Sequence, residues 1–251
     1  MTAWLSFGTP ATDEPRLFCF PNAGAGAAAF GEWRTLAEPG VQVCPIQLPG
    51  RAERFREPAH STVNALLDDL LSGIGPEFTG PYALYGHSMG ALVVFELARR
   101  LRARGGEQPV HVYVSGRAAP QLVDNRRILH NLPTEDLIPE LRKIGGTPES
   151  VLREPELMEM FLPTLRADFA VNEDYTYVDA EPLAVPLSVF GGSADPRADA
   201  DELHAWSAQT SAAFELKVFQ GGHFFINPYA RELLATMTAP LQAKSLRSAS
   251  T

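Results

Sequence analysis

"YALYGHSMGALVVFELARR" (Tyr82–Arg100) sets two hydrophobic rhythms side by side, with one serine at the seam. "YALY" has the short, apolar, aromatic-rich composition of a strand covered on both faces, and "ALVVFELARR" reads as a helix. Ser88 therefore stands at a strand-to-helix turn. A very tight turn there pushes the serine side chain out of the sheet and crowds the residues two places away. Gly86 and Gly90 fill both crowded places, and neither carries a Cβ that could collide with strand or helix. In this setting G-x-S-x-G is a nucleophile elbow. The N-terminus of the following helix also points N–H groups at any oxygen that approaches.

A serine hydroxyl is a poor nucleophile until a base takes its proton. The chain offers six histidines. His87 lies in the elbow but points elsewhere than Ser88, and His111 sits inside a strand-like run, where a structural role is expected. His60, His130 and His204 lie beside helices or loops. His223 follows the late strand-like run "ELKVF" in the glycine-rich loop "QGGHFF", which brings it to the carboxyl edge of the sheet with the elbow. An acid must fix the tautomer of that imidazole and stabilise its charged form. "PLSVFGGSADP" ends another strand and delivers Asp195 to the same edge. Asp199 and Asp201 compete nearby but lie further into the next segment. The chain order Ser88, Asp195, His223 is that of α/β-hydrolases. An oxyanion hole needs two aimed N–H donors, one from the residue after the nucleophile, here Met89. The other is assigned to Ala23, in the small-residue loop that follows the early strand in "FCFPNAGAGAAAF".

Outward from the elbow, five runs are rich in β-branched and aromatic residues: Leu17–Phe20, Val41–Leu48, Tyr82–Tyr85, Val110–Ser115 and Leu187–Phe190. A sixth, Phe214–Phe219, alternates more. "AWLSF" (Ala3–Phe7) is expected to add an edge strand. Helical runs lie between them: Ser61–Ile74 with Ser61 as its cap, the run after Ser88, and "ARELLATMTAPL" near the end. The alternation predicts an α/β fold with a mostly parallel central sheet, flanking helices and right-handed crossovers. From Leu132 to Tyr175 there is no strand but at least two amphipathic helices. "PTEDLIPELRKIGG" has Thr134 as cap, acids first, bases last and Gly145 at its end. "EPELMEMFLPTLRADFAV" puts Leu157, Met160, Phe161 and Leu165 on one side. These helices are either an added core layer or a lid over an active site. The domain reading is one unit over 1–251 with a helical insertion at about 125–178. The tail "AKSLRSAST" is expected to fray.

Composition narrows the function classes. The chain has 251 residues and a formal net charge of −9, which disfavours nucleic acid as a partner. A local basic run, "ARRLRARGG", interrupts the acidic balance. Its two cysteines, Cys19 and Cys44, sit in apolar strand-like runs and form neither a disulfide framework nor a metal spacing. The N-terminal stretch has no signal-peptide pattern, and no apolar run approaches the roughly 18 residues of a membrane span. A cytoplasmic, monomeric protein without a membrane partner is expected.

Seven stretches resemble the type II thioesterases that accompany polyketide synthases and nonribosomal peptide synthetases. They are "FCFPNAGAGAAAF", "PIQLPGRAERFREP", "YALYGHSMGALVVFELARRL", "VHVYVSGRAAP", "LRADFAVNEDYTY", "PLSVFGGSADP" and "GGHFFI", spread from about Leu17 to Tyr229. The elbow fits many hydrolases, whereas "QLPGRAERFREP" and "LRADF" are much more specific. The first glycine loop departs from the family's usual A-G-G, reading "AGAG" here. The resemblance implies an α/β-hydrolase fold with a helical lid. It implies hydrolysis of acyl groups from the phosphopantetheine thioester of acyl or peptidyl carrier proteins, with no metal or bound cofactor. It carries the nucleophile, acid and base onto Ser88, Asp195 and His223 and the oxyanion donors onto Ala23 and Met89. The acyl chain is expected against Leu157, Met160, Phe161 and Leu165, and a basic patch of Arg51, Arg54 and Arg56 is a candidate carrier dock. A general carboxylesterase or lipase shares the triad, a non-catalytic carrier-binding module shares the scaffold, and transfer to another acceptor shares the acyl-enzyme.

Overall fold

All six apolar runs pair into one parallel sheet in the computed structural model, which describes residues 2–8 and 14–248. The strands are β1 (Arg16–Phe20), β2 (Gln42–Pro45), β3 (Tyr82–His87), β4 (His111–Ser115), β5 (Leu187–Gly192) and β6 (Phe214–Phe219). Their order is β2-β1-β3-β4-β5-β6. The chain runs from β1 out to β2, then returns past β1 to start β3, so the order reverses between β1 and β3. In open α/β sheets a crevice forms at such a reversal, beyond the carboxyl ends of the strands, and ligands bind there. Ala23 follows β1 and Ser88 follows β3, so the switch point carries both.

Side chains alternate across the strands, and each face has its own core. Phe18, Phe20, Leu84, Val112, Val114 and Val189 face helices α2 (Val63–Ile74) and α3 (Met89–Ala103). Leu17, Cys19, Ala83, Tyr85, Tyr113 and Phe190 face α1 (Trp33–Leu36) and α8 (Ala230–Ser248). The strands read as continuous apolar runs because both faces are buried. Cys19 and Cys44 are free and buried; burial pushes both thiols up, Cys44 to about 12, so neither is a reactive thiolate.

Between β4 and β5 lie α4 (Thr134–Ile144), α5 (Glu149–Leu152) and α6 (Pro155–Glu173), with a separate apolar cluster built on Leu137, Leu141, Leu152, Met158, Leu165 and Phe169. The short helix α7 (Ala200–His204) follows β5.

Four local expectations need correction. Ala3–Phe7 forms turns and no strand: Trp4 tucks its ring beside Gly73 of α2, its N–H donates to the Thr2 hydroxyl at 3.4 Å, and its carbonyl accepts from Gln47 N–H at 2.9 Å. The cap of α2 is Thr62, whose hydroxyl accepts from Ala65 N–H, and Ser61 lies outside. Thr134 is already helical after Pro133 and makes no side-chain cap, while Gly145 does end the helix at φ 83°. The backbone of α8 stays helical to Ser248, through the first part of the stretch expected to fray; its last three residues lie outside those described.

Candidate active site

The elbow is strained where its sequence requires it. Ser88 has φ 55° and ψ −114°, one of two non-glycine residues with positive φ among those described. A Cβ on Gly86 would come within 2.0 Å of the Gly90 carbonyl oxygen, and one on Gly90 within 2.2 Å of the Phe20 carbonyl oxygen. Both glycines are therefore dictated by backbone meeting backbone, which cannot yield. The turn is pinned to the sheet by Ser88 N–H donating to Ser115 O at 2.8 Å. Such strain is held where the surrounding structure over-determines it.

His223 follows β6 and Asp195 follows β5. Nδ1 of His223 lies 2.9 Å from Oδ2 and 3.0 Å from Oδ1 of Asp195, and both residues are buried. Arg197 N–H donates to Asp195 Oδ1 at 2.8 Å and holds the carboxylate in place. Nε2 of His223 is thereby left to act toward Ser88, which lines the same cavity. Among the described residues Ser88 Oγ has no hydrogen-bond partner; such bonds commonly tighten only when substrate is bound. The competing acids are engaged elsewhere or exposed: Asp199 caps α7 in a capping box, and Asp201 lies in its first turn on the surface.

His87 is fully buried beside the pair, its ring centroid 4.9 Å from that of His223. Its Nδ1 meets Ser115 Oγ at 2.8 Å, and Nε2 has no partner among the described residues. Burial, and then the neighbouring imidazole, hold its pKa well below the usual value. His87 thus stays neutral and adds no positive charge beside a base that must become cationic.

The loop after β1 carries the second oxyanion candidate. Ala25 N–H and the Asn22 side chain hydrogen-bond within the loop, the latter to the Ala23 carbonyl at 3.0 Å. Gly24 N–H donates to Oδ2 of Asp168 on α6 at 2.7 Å. Met89 opens α3, where the first N–H groups have no intrahelical acceptor. The loop and the elbow border a cavity of about 530 Å³ whose wall is predominantly apolar. Leu157, Met160, Phe161 and Leu165 all line it, with Ser88, His223 and Ala23. Leu165 is buried, while Leu157 and Met160 are exposed and stand with Phe55 at the rim. Sequence reasoning missed Leu141, Ile144 and Val151 of α4 and α5 and Phe224 beside His223 in the same wall; nothing in their local pattern separates them from ordinary core or loop residues.

The expected basic patch does not form. Arg51 is buried in a two-pronged ion pair with Asp168, at 2.6 and 2.8 Å. Arg54 is buried too, pairing with Glu57, donating to Gln47 O at 3.0 Å and lying over the Trp4 ring. Only Arg56 of the three is exposed. The guanidinium groups turn inward because carboxylate and carbonyl acceptors there match their donors.

The sequence model of the thioesterase domain matches residues 15–240. The gramicidin S biosynthesis protein GrsT of Aneurinibacillus migulanus is 42% identical over 90% of this chain and 89% of its own. Thioesterase PikA5 of Streptomyces venezuelae is 36% identical, over 92% and 82%. Among solved structures, the RedJ thioesterase of the prodiginine pathway in Streptomyces coelicolor superposes with a TM-score of 0.84 at 36% identity, covering 95% of this chain and 98% of that one.

Proposed function

This chain belongs to the thioesterase family, among the type II thioesterases of polyketide and nonribosomal peptide systems, and from that premise we propose that it frees acyl groups from the phosphopantetheine thioesters of carrier-protein domains. The observation that supports the reading most is that the elbow serine and His223, whose Nδ1 is held by buried Asp195, border one apolar cavity. His223 Nε2 takes the proton of Ser88 as Oγ attacks the thioester carbonyl. The Ala23 and Met89 N–H groups receive the oxyanion. The tetrahedral intermediate collapses, breaking the C–S bond, and the proton on His223 goes to the departing sulfur. A thiol has a pKa of roughly 8.5, so it needs less of this help than an alcohol. Water, deprotonated by the same imidazole, then cleaves the acyl-enzyme and returns the proton to Ser88. Asp195 holds the imidazole and offsets its charge while it is protonated.

The acyl chain lies among Phe161, Leu165 and their neighbours, where apolar surface leaves water at about 25 cal/mol per Å². On this reading the partner is an acyl or peptidyl carrier domain. The enzyme works as a cytoplasmic monomer, with no cofactor beyond the substrate's own phosphopantetheine, no nucleic acid and no membrane. No helix among the described residues is long and apolar enough to cross a membrane.

The test is release of acyl groups from loaded carrier protein. Ser88→Ala is expected to lower turnover by about 10⁶-fold, with an unchanged circular dichroism spectrum and no acyl adduct by intact-protein mass spectrometry. Release by Ser88→Ala at near the wild-type rate would remove the nucleophile from this scheme.

A further inference from the structure

The two stretches that mark the family most specifically, "QLPGRAERFREP" and "LRADF", contribute no triad residue. In three dimensions they meet through Arg51 and Asp168, which are 117 positions apart. Both groups are buried, Asp168 to 1% exposure, and the fork of Arg51 spans both carboxylate oxygens. An ion pair closed on itself would only stitch α6 to the loop after β2. This one reaches further. Oδ2 of Asp168 also accepts from Gly24 N–H at 2.7 Å, and Nη1 of Arg51 donates to Ala25 O at 3.0 Å. The pair therefore grips the loop at two peptide groups, the one before Gly24 and the one after Ala25.

The grip fixes an orientation. The N–H of Gly24 belongs to the same planar unit as the carbonyl of Ala23. Turning that N–H toward Asp168 turns the Ala23 carbonyl the opposite way, where Asn22 Nδ2 meets it at 3.0 Å. With the following peptide so held, Ala23 N–H makes no hydrogen bond to another backbone group among the described residues and is free for a substrate oxygen. Gly24 itself sits at φ +77° against Phe161 and Leu165 of the same helix, so α6 also presses the loop from above.

We infer that Asp168, held by Arg51, is a positioning residue for the oxyanion hole, making correct seating of helix α6 a condition for stabilising the tetrahedral intermediate. The inference rests on the assignment of Ala23 as an oxyanion donor under the proposed function. A carboxylate on the helix that roofs the acyl cavity thereby reaches the chemistry without touching substrate.

A single truncation leaves one buried charge unpaired and endangers folding, whereas replacing both partners by apolar residues is often neutral or stabilising. The deciding variant is therefore the double change Arg51→Met with Asp168→Leu, which removes both charges together and takes the acceptor from Gly24. It is expected to melt cooperatively near the wild-type temperature, with kcat lowered roughly 10²–10³-fold, the usual loss for one oxyanion donor, and KM within a few-fold. Asp168→Asn retains an oxygen for Gly24 N–H and is expected to keep kcat within about tenfold, a rescue that packing of α6 alone would not produce. The rate of Ser88 labelling by a fluorophosphonate is measured in parallel, since the phosphoryl oxygen uses the same donors. A folded double variant with wild-type kcat and labelling rate would overturn the inference, as would a loss confined to KM. If wild-type protein labels at Ser88 but does not hydrolyse carrier thioesters, the proposed function fails, and the labelling rates still decide the role of Asp168.

Discussion

The elbow and the oxyanion loop lie side by side at the switch point of the sheet, yet they are held by different physics. The elbow is held by hard contact. Gly86, Gly90 and the Phe20 carbonyl leave no room for a single methyl group, and Ser88 is forced to φ 55°. Every atom involved is backbone within five residues or on the adjoining strand. The oxyanion loop is held softly, by a carboxylate and a guanidinium delivered from two remote segments. The first arrangement tolerates no change and needs no help. The second can be re-aimed by its surroundings, because its hydrogen bonds come from side chains on helix α6 and the loop after β2.

The sharpest way to break this contrast is Gly90→Ala. Its Cβ would meet a carbonyl oxygen at 2.2 Å, and backbone cannot swing aside as a side chain can. Loss of stability beyond about 4 kcal/mol is expected, in the exceptional range for point changes, seen as no cooperative thermal transition and no Ser88 labelling. A normally melting Gly90→Ala protein would show that the elbow is not sterically fixed.

Gly24→Ala tests the soft side. The new methyl group would meet Phe161 Cζ at 2.5 Å and Leu165 Cδ1 at 3.1 Å, both ends of side chains that border the cavity and can shift into it. The positive φ adds about 1–2 kcal/mol of strain. The variant is expected to fold, to melt a few degrees lower and to lose about tenfold in kcat, checked by calorimetry and steady-state hydrolysis. Complete unfolding would erase the distinction between the two regions.

The smallest effect concerns acid. His87 in the elbow is held neutral by burial and the nearby His223, and burial lowers His111 on β4 to about 4. The unfolded chain protonates these imidazoles near pH 6.5 and the native protein does so only at lower pH. Below pH 6.5 the unfolded state binds more protons, so stability falls as pH drops through the window from about 6.5 to 4. The His111→Gln variant, which keeps a polar atom for Ser188, is expected to show a shallower decline of melting temperature over that window. Equal slopes in variant and wild type would assign the acid sensitivity elsewhere.

The pattern of what was legible follows the same division. Strands, elbow, Asp195 and His223 were readable because each is a short segment whose composition reports its own surroundings, and because parallel strands deliver their carboxyl ends to one edge. The cap of α2 was misplaced by one residue, since neighbouring hydroxyls at positions 61 and 62 are equivalent until the helix axis is set. Ala3–Phe7 has a strand's composition, but burial of the Trp4 indole beside Gly73 and below Arg54 decides its path. Arg51 and Arg54 read as a surface patch because local sequence says nothing about Asp168, far along the chain, or about the Trp4 ring and Gln47 carbonyl that draw Arg54 inward.

By itself, then, the order of residues determined the α/β architecture, the strained serine turn and the pairing of Asp195 with His223 at the same sheet edge, because glycine sterics and hydrophobic rhythm act over a handful of positions. Only the tertiary structure decided that helix α6 borders the cavity, that two arginines face inward, and that Asp168 of α6 bonds the loop beside Ser88. The contacts of Asp168 with Arg51 and Gly24 span more than a hundred residues, and such meetings exist only once the chain has folded.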